Sequence, residues 1–238
     1  GLAAGCASTA PPCPCARPAE PAAPAAVAPR PVPPAFATIF RSVVQIKVQV
    51  EQKMAAGQVE TEYEYGTGFF VDQRGRILTS AHVLDGLEDP RHLTVLVAGR
   101  PLQARVVRRD RASDLALLAV DAGATEPLRL AAGPAALGGR VYAVGYPFVE
   151  VFTDRLPAVS VGHLAGVDRD IEYAGRSISD LLLTDAFVAD GCSGGPLLDE
   201  QGHVIGVLRF NLSRDGTWLG LSLAEPIAAY QRLLQAEP

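Results

Sequence analysis

The sequence is poor in the residue types that mark several protein classes. Its 238 residues include four cysteines, one methionine, one tryptophan and only 6% aromatic residues. No stretch approaches the roughly 18 consecutive apolar residues that a membrane-spanning helix needs. Basic residues are not in excess, since the net charge is -5, and nucleic-acid binding usually requires a clustered basic surface. These absences argue against a transmembrane protein and against a partner that is a nucleic acid.

The cysteines cannot cross-link a folded domain. Cys6, Cys13 and Cys15 lie in an amino-terminal stretch of alanine and proline, so Cys192 alone belongs to the rest of the chain. The Cys-Pro-Cys spacing suits neither a zinc knuckle nor a Cys-x-x-Cys redox pair. We therefore predict no internal disulfide and no metal site.

Residues 1–35 are predicted to be a linker, and residues 36–238 the folded domain. Ten of the 19 prolines fall between Pro11 and Pro34, interleaved with alanine. Proline removes backbone donors and fixes φ, which prevents a helix or a strand ladder. An extended chain of this kind rises about 3.1 Å per residue and would span on the order of 70 Å.

The first six residues, which end at Cys6, resemble the end of a bacterial lipoprotein signal peptide. In such peptides small residues precede a cysteine that becomes lipidated. The resemblance implies lipidation of Cys6, a cell-envelope location on the periplasmic or extracellular face, and membrane contact only through that anchor. The alternative is a chance cysteine in an alanine-rich tail.

From residue 36 onward the pattern is that of an all-β protein. Short apolar runs rich in Val, Ile and Leu recur at 42–50, 66–71, 76–80, 93–97, 115–120, 140–145, 178–184, 203–210 and 217–223. Many short strands without alternating helices favour a sandwich or a barrel. One helix is predicted, at 224–235, with Pro226 near its first turn.

Three segments carry candidate chemistry. Ser193 lies at the centre of Gly-Cys-Ser-Gly-Gly, residues 191–195, where glycines permit the backbone angles that expose a serine Oγ and aim two N–H groups at an oxyanion. His82 follows a predicted strand, and Asp114 begins another. Each alone has an ordinary explanation: a glycine-rich turn, a capping histidine, or a turn aspartate.

Taken together, the three segments resemble the trypsin-like serine peptidases, and among them the HtrA/Deg branch. The order His82, Asp114, Ser193 is that of the chymotrypsin fold and differs from the orders in subtilisin and the α/β-hydrolases. Further matching segments lie at 66–71, 137–147, 184–186 and 202–207. The resemblance covers about residues 36–235. It implies a chymotrypsin-like double six-stranded β-barrel with a C-terminal helix, the two barrels meeting near 122–138.

The resemblance also implies a role for each residue of the site. His82 would act as general base and then general acid, and Asp114 would orient the imidazole. The backbone amides of Gly191 and Ser193 would form the oxyanion hole. Protein or peptide substrates are implied, and no cofactor.

Residues 191–195 satisfy the Gly-x-Ser-x-Gly elbow of lipases and esterases as well. That interpretation needs an acid and then a histidine downstream, on a βα scaffold. His203 is the only histidine after Ser193, and a single helix is predicted there. The elbow interpretation is therefore the weaker one.

The chain departs from the HtrA-like pattern at two places in the site. Cys192 stands where relatives usually carry asparagine, yet the register makes Ser193 the expected nucleophile. Phe187 stands where a small residue is usual, on one wall of the implied specificity pocket. The other wall is implied to be Val207, Leu208 and Arg209. An apolar pocket without a basal aspartate predicts a small aliphatic residue at the cleaved position.

No segment resembling a PDZ domain follows the peptidase-like part of the sequence, and the resemblance leaves a homo-oligomer open. Two functions remain. The first is a serine endopeptidase of the cell envelope that cleaves exposed or unfolded protein segments. The second is a catalytically weak or inactive module of the same fold that acts as a protein-binding or chaperone-like factor, as the unusual Phe187 and Leu208 suggest. The presence of all three triad residues favours the enzyme.

Overall fold

The computed structural model describes residues 34–53, 59–152, 154–173 and 175–235. Cys6 and all but the end of the predicted linker lie outside these ranges. Within them, none of the helices is both long and apolar enough to cross a membrane.

The amino-terminal half forms a closed six-stranded antiparallel barrel, which follows a short helix, α1 (Pro34–Ser42). Its strands are β1 (Val43–Lys53), β2 (Val59–Phe70), β3 (Arg76–Ser80), β4 (Leu93–Val97), β5 (Arg100–Asp110) and β6 (Leu115–Val120). They are ordered β1-β2-β3-β6-β5-β4, and pairing of β1 with β4 closes the barrel. Two 3₁₀ turns, Ala81–Leu84 and Pro90–His92, connect β3 to β4.

The carboxyl-terminal half forms a second closed barrel with the same strand count. Its strands are β7 (Arg140–Gly145), β8 (Ala158–Tyr173), β9 (Arg176–Thr184), β10 (Pro196–Leu198), β11 (Val204–Arg214) and β12 (Thr217–Pro226). Their order is β10-β11-β12-β9-β8-β7, and β10 pairs with β7 to close it. A C-terminal helix, α2 (Ala228–Gln235), follows β12.

Alternation of side chains along the strands explains how the interior of the first barrel is filled. In β1, Val44, Ile46 and Val48 have no exposed surface and point into the barrel interior, because successive side chains of a strand point to opposite faces. Burial of side chains of this size contributes roughly 1.5–3 kcal/mol each.

A third layer of apolar side chains joins the two barrels. Phe69 and Leu78 of the first barrel belong to the same buried cluster as Val144 and Val207 of the second, and Tyr230 of α2 packs into it as well. The interface between the barrels is therefore part of the hydrophobic core, and the loops that meet at its edge are held in fixed register.

The predicted all-β double-barrel fold is confirmed. The segment that connects β6 to β7 covers residues 121–139, near the predicted boundary. Helix α1 and strands β5, β8 and β10 were not among the apolar runs that predicted strands, and the C-terminal helix begins at Ala228, because residues 224–226 still belong to β12.

Candidate active site

His82 and Asp114 are held together by the first barrel. His82 lies in the 3₁₀ turn directly after β3, and Asp114 lies in the turn between β5 and β6. The backbone N–H of His82 donates to Asp114 Oδ1 at 2.9 Å, and His82 Nδ1 lies 2.7 Å from Oδ2. The N–H of Ala81 donates to the Asp114 carbonyl oxygen at 2.8 Å. The carboxylate thus fixes both the backbone and the ring of the histidine.

The backbone of Asp114 adopts the left-handed conformation, with φ of +52°. Aspartate is one of the few residues with a side chain that visit this region routinely. The turn directs the carboxyl group toward His82, and only 5% of the residue is exposed. Burial acts to raise the pKa of Asp114, but the hydrogen bond and charge of His82 and the charge of Arg209 outweigh it, so the pKa is lowered. Because an ionised carboxylate can only accept, the Nδ1 atom of His82 carries the proton.

Ser193 belongs to the second barrel, in the loop between β9 and β10. Gly191 has φ of +91° and Gly194 has φ of +86°. A Cβ atom at Gly194 would overlap the carbonyl oxygen of Thr67, and one at Gly191 would overlap that of Tyr146. Only glycine meets both the backbone angle and the close approach at these two positions.

The loop leaves two backbone donors without a partner. Among the described residues, neither the N–H of Gly191 nor that of Ser193 donates a hydrogen bond, whereas the N–H groups of Cys192, Gly194 and Gly195 all do. One of these free N–H groups belongs to the serine and the other lies two residues before it, and free backbone donors of this kind are what an oxyanion requires.

The Ser193 hydroxyl donates to the carbonyl oxygen of Arg209 at 2.6 Å. Within the described part of the chain, no hydrogen bond joins it to His82. The structure therefore brings His82 and Asp114 into direct contact and holds Ser193 through the backbone of β11.

Thr67 in β2 fastens the serine loop to the first barrel. Its N–H donates to the Ser193 carbonyl oxygen at 2.8 Å, and its hydroxyl donates to the Gly191 carbonyl oxygen at 2.6 Å. The same hydroxyl accepts from the N–H of Tyr146 at 3.0 Å. Sequence reasoning did not single out Thr67, although a polar residue inside the apolar run 66–71, with no exposed surface, is the signal that could have found it.

Arg209, which was predicted to line a substrate pocket, is among the residues that line the cleft beside His82, and most of its side chain is buried against two carboxyl groups. Its Nε lies 3.1 Å from Asp114 Oδ2, and its Nη1 donates to Glu225 Oε2 at 3.2 Å. Burial raises the pKa of Glu225 to about 7, although the charges of Arg209 and Arg232 act to lower it. One guanidinium is thus shared by two buried carboxyl groups, and Asp114 keeps the negative charge.

The other predicted pocket residues differ in their exposure. Val207 and Leu208 have no exposed surface and pack in the core, so their side chains present nothing to a substrate in this arrangement. Phe187 is exposed and contacts Trp218 edge-on, with ring centroids 5.1 Å apart. The preference for a small aliphatic residue stays a prediction.

Cys192 is a poor nucleophile in this setting. The residue is 8% exposed, and burial raises the pKa of its thiol to about 11. The reactive form of cysteine is the thiolate, which is scarce at neutral pH when the pKa is so high. Ser193 is the better candidate of the two.

A cleft of about 890 Å³ opens beside His82 and Asp114. Its walls come from both barrels, because the first barrel contributes Arg109 and Arg111 and the second contributes Tyr173 and Phe210. The cleft leaves His82 accessible between the two barrels.

Comparison with models of known protein families shows which family the chain belongs to. Residues 66–207 match the family described as trypsin-like peptidase domain, which is more than half of the chain. The chain belongs to this family.

The chain is also similar to individual HtrA-type proteins. It is 35% identical over 167 residues to Protease Do-like 1, chloroplastic, of Arabidopsis thaliana, a match that covers 68% of the chain and 36% of the relative. It is 34% identical over 175 residues to a probable periplasmic serine endoprotease DegP-like of Halomonas elongata, covering 73% and 35%. The chain thus spans about a third of the length of these curated relatives.

Solved structures show the same fold. The active form of the Rv3671c protease from M. tuberculosis superimposes with a TM-score of 0.68 at 27% identity, covering 86% of each chain. The HtrA-type protease AlgW with a decapeptide superimposes with a TM-score of 0.69 at 23% identity, covering 84% of this chain and 65% of that one.

Replacing Thr67 with valine should destabilise the protein by roughly 2–4 kcal/mol, because the Gly191 carbonyl and the Tyr146 N–H would both lose a buried partner. Urea unfolding at fixed pH measures the change. The matched control is Thr61→Val, on the exposed part of the same strand, which should stay within about 0.5 kcal/mol of wild type. Equal effects at the two positions would show that Thr67 does not fasten the loop.

Replacing Glu225 with glutamine should stabilise the protein more at pH 8 than at pH 5. The pKa of this carboxyl group is about 7 in the folded chain against an ordinary value of 4.5, so the unfolded chain releases the proton first and stability is lost as pH rises between these values. Glutamine removes that loss, which is on the order of 2–3 kcal/mol between pH 5 and pH 8.

Urea unfolding of wild type and Glu225→Gln at both pH values measures this difference, with Glu64→Gln on the exposed part of β2 as control. A stability difference that does not change with pH would contradict the raised pKa.

Proposed function

We propose that this domain is a serine endopeptidase that cleaves exposed or unfolded protein segments in the bacterial cell envelope, with His82, Asp114 and Ser193 as its catalytic residues. Membership of the trypsin-like peptidase family supports the reaction class. The described similarity to proteins named periplasmic serine endoproteases supports the location. Lipidation at Cys6 belongs to the same proposal and rests on the sequence pattern.

The observation that carries the proposal is the double hydrogen bond from His82 to Asp114. Because the Nδ1 atom of the ring is occupied as a donor, its Nε2 is left as the acceptor that can take a proton from a serine. The buried aspartate also stabilises the imidazolium that forms when the proton moves.

The proposed reaction begins at Ser193. The Ser193 hydroxyl turns from the Arg209 carbonyl toward Nε2 of His82 and gives up its proton as its oxygen attacks the substrate carbonyl carbon. The N–H groups of Gly191 and Ser193 bind the oxyanion of the tetrahedral intermediate. His82 returns the proton to the leaving amine, which leaves an acyl group on Ser193, and water repeats the sequence to release it.

Replacing Ser193 with alanine should abolish covalent labelling by a fluorophosphonate probe and cleavage of an unfolded protein together. Asp114→Asn should lower both by roughly 10³- to 10⁴-fold, because the ring loses its orienting carboxylate. Gel fluorescence of the labelled full chain and the rate of appearance of new peptide termini measure the two activities.

The control is Ser213→Ala, which removes a hydroxyl on the same strand as Arg209 and should leave both activities near wild type. Labelling that persists in Ser193→Ala, or wild type that is folded yet neither labels nor cleaves, would refute the proposed function.

A further inference from the structure

Arg209 touches two of the three proposed catalytic residues. Its main-chain carbonyl oxygen accepts from the Ser193 hydroxyl at 2.6 Å, and its side-chain Nε lies 3.1 Å from Asp114 Oδ2. That carboxylate oxygen is the one that faces Nδ1 of His82 at 2.7 Å. A buried positive charge and the histidine ring therefore meet at the same oxygen of the Asp114 carboxylate.

The contact supplies charge without competing for the hydrogen bond. Among the described residues, the Nε atom of Arg209 has no hydrogen-bond partner, although it is within ion-pair distance of Asp114. Its N–H is thus not aligned on the carboxylate oxygen, which remains available to the ring of His82. The guanidinium acts on Asp114 and His82 through its field.

Glu225 anchors the guanidinium from the other side. The carboxyl group accepts from Nη1 at 3.2 Å, and its side chain is 4% exposed, against 9% for Arg209 and 7% for Asp114. The more distant Arg232 of α2, 60% exposed, lies 3.9 Å from its other oxygen. Solvent screens such buried charges poorly, so a change in the charge of Arg209, Asp114 or Glu225 acts strongly on the other two side chains.

Charged groups also face His82 from the cleft. Arg109 and Arg111 of the first barrel both contact Asp85, at 2.6 and 3.3 Å. These three side chains sum to one positive charge and are at least partly in solvent, which screens them more than the buried group. Of these arginines, the buried Arg209 is the one whose charge, after that of His82, acts to lower the pKa of Asp114.

We propose that Arg209, anchored by Glu225, is a positioning residue that sets the pH range in which the His82–Asp114 pair can act as a base. The inference rests on the proposed function. The positive charge of Arg209 beside Asp114 disfavours a second positive charge on the imidazole of His82 and so keeps the ring ready to accept a proton at lower pH. Glu225 opposes this effect only while it is ionised, and it loses its charge as the pH falls through about 7.

The test follows the rate of fluorophosphonate labelling of the full chain from pH 5 to pH 9. Arg209→Met removes the charge and should move the acid limb of this profile upward by about one pH unit. Arg209→Lys keeps the charge and should keep the acid limb near its wild-type position, even where the rate at the optimum falls.

Glu225→Gln should move the acid limb in the opposite direction, to lower pH, because it leaves the arginine charge unopposed. The displacement should be smaller than that of Arg209→Met, since the wild-type carboxyl group is already partly protonated near pH 7. The double variant Arg209→Met with Glu225→Gln should have the same acid limb as Arg209→Met. Without the guanidinium, Glu225 is already protonated at low pH, so its replacement by glutamine removes no charge. Displacements of opposite sign cannot come from loosened packing alone, which lowers rates without a fixed direction in pH.

An Arg209→Met variant that is folded by circular dichroism and keeps the wild-type acid limb, or moves it downward, would overturn the inference. If wild type does not label at all, the proposed function fails instead. In that case an NMR titration of the His82 ring tests the role of Arg209. The midpoint should be higher in Arg209→Met than in wild type and Arg209→Lys, and equal midpoints in all three would overturn the inference.

Discussion

The proposed chemistry depends on the fixed junction between the two barrels. His82 and Asp114 belong to the first barrel and Ser193 to the second, so no local segment can assemble the site. Thr67 makes the junction specific, because its N–H and hydroxyl hold the carbonyl groups of Ser193 and Gly191. Those two bonds hold the serine loop against the first barrel, and in the described part of the chain the N–H groups of the same two residues have no hydrogen-bond partner. The apolar cluster between the barrels supplies the stability that this polar contact cannot supply alone.

The fold could be predicted because most strands of both barrels carry a period-two or continuous apolar pattern, as β1 does. Three strands were not predicted from apolar runs. Strand β10 has only three residues and therefore shows no period, β5 is largely exposed, and β8 is largely polar at its outer end. Helix α1 was not predicted because it begins at Pro34, the last proline of the stretch that predicted a linker. The chain order of His82, Asp114 and Ser193 was readable, since it depends only on which residue types occur in which motifs.

The placement of the Arg209 side chain could not be predicted, and the reason lies in β11. Residues 204–209 are all buried, because this strand faces the interior of the second barrel on one side and the other barrel on the other. In a strand that is buried on both faces, polar residues do not alternate with apolar ones, so the sequence does not show which face each side chain occupies. The register shift after Leu208 also interrupts the alternation of faces along the strand. A family pattern predicts a pocket wall at this position, whereas the charge partners, Asp114 and Glu225, come from segments distant in sequence.

Arg209 is buried between Asp114 and Glu225, and the desolvation cost of these charges explains why only Asp114 stays ionised at low pH. Desolvation of an ion is repaid only by close partners, and a single guanidinium cannot fully compensate two carboxylates. Asp114 also accepts two hydrogen bonds from His82, so ionisation is favoured there, and its negative charge in turn disfavours ionisation of Glu225. The second carboxyl group therefore changes charge near neutral pH, within the range in which a histidine ordinarily titrates. Glu225 contacts neither His82 nor Ser193, and Arg209 links it to Asp114. Because Glu225 is buried and titrates in this range, it makes the electrostatics of the site depend on pH.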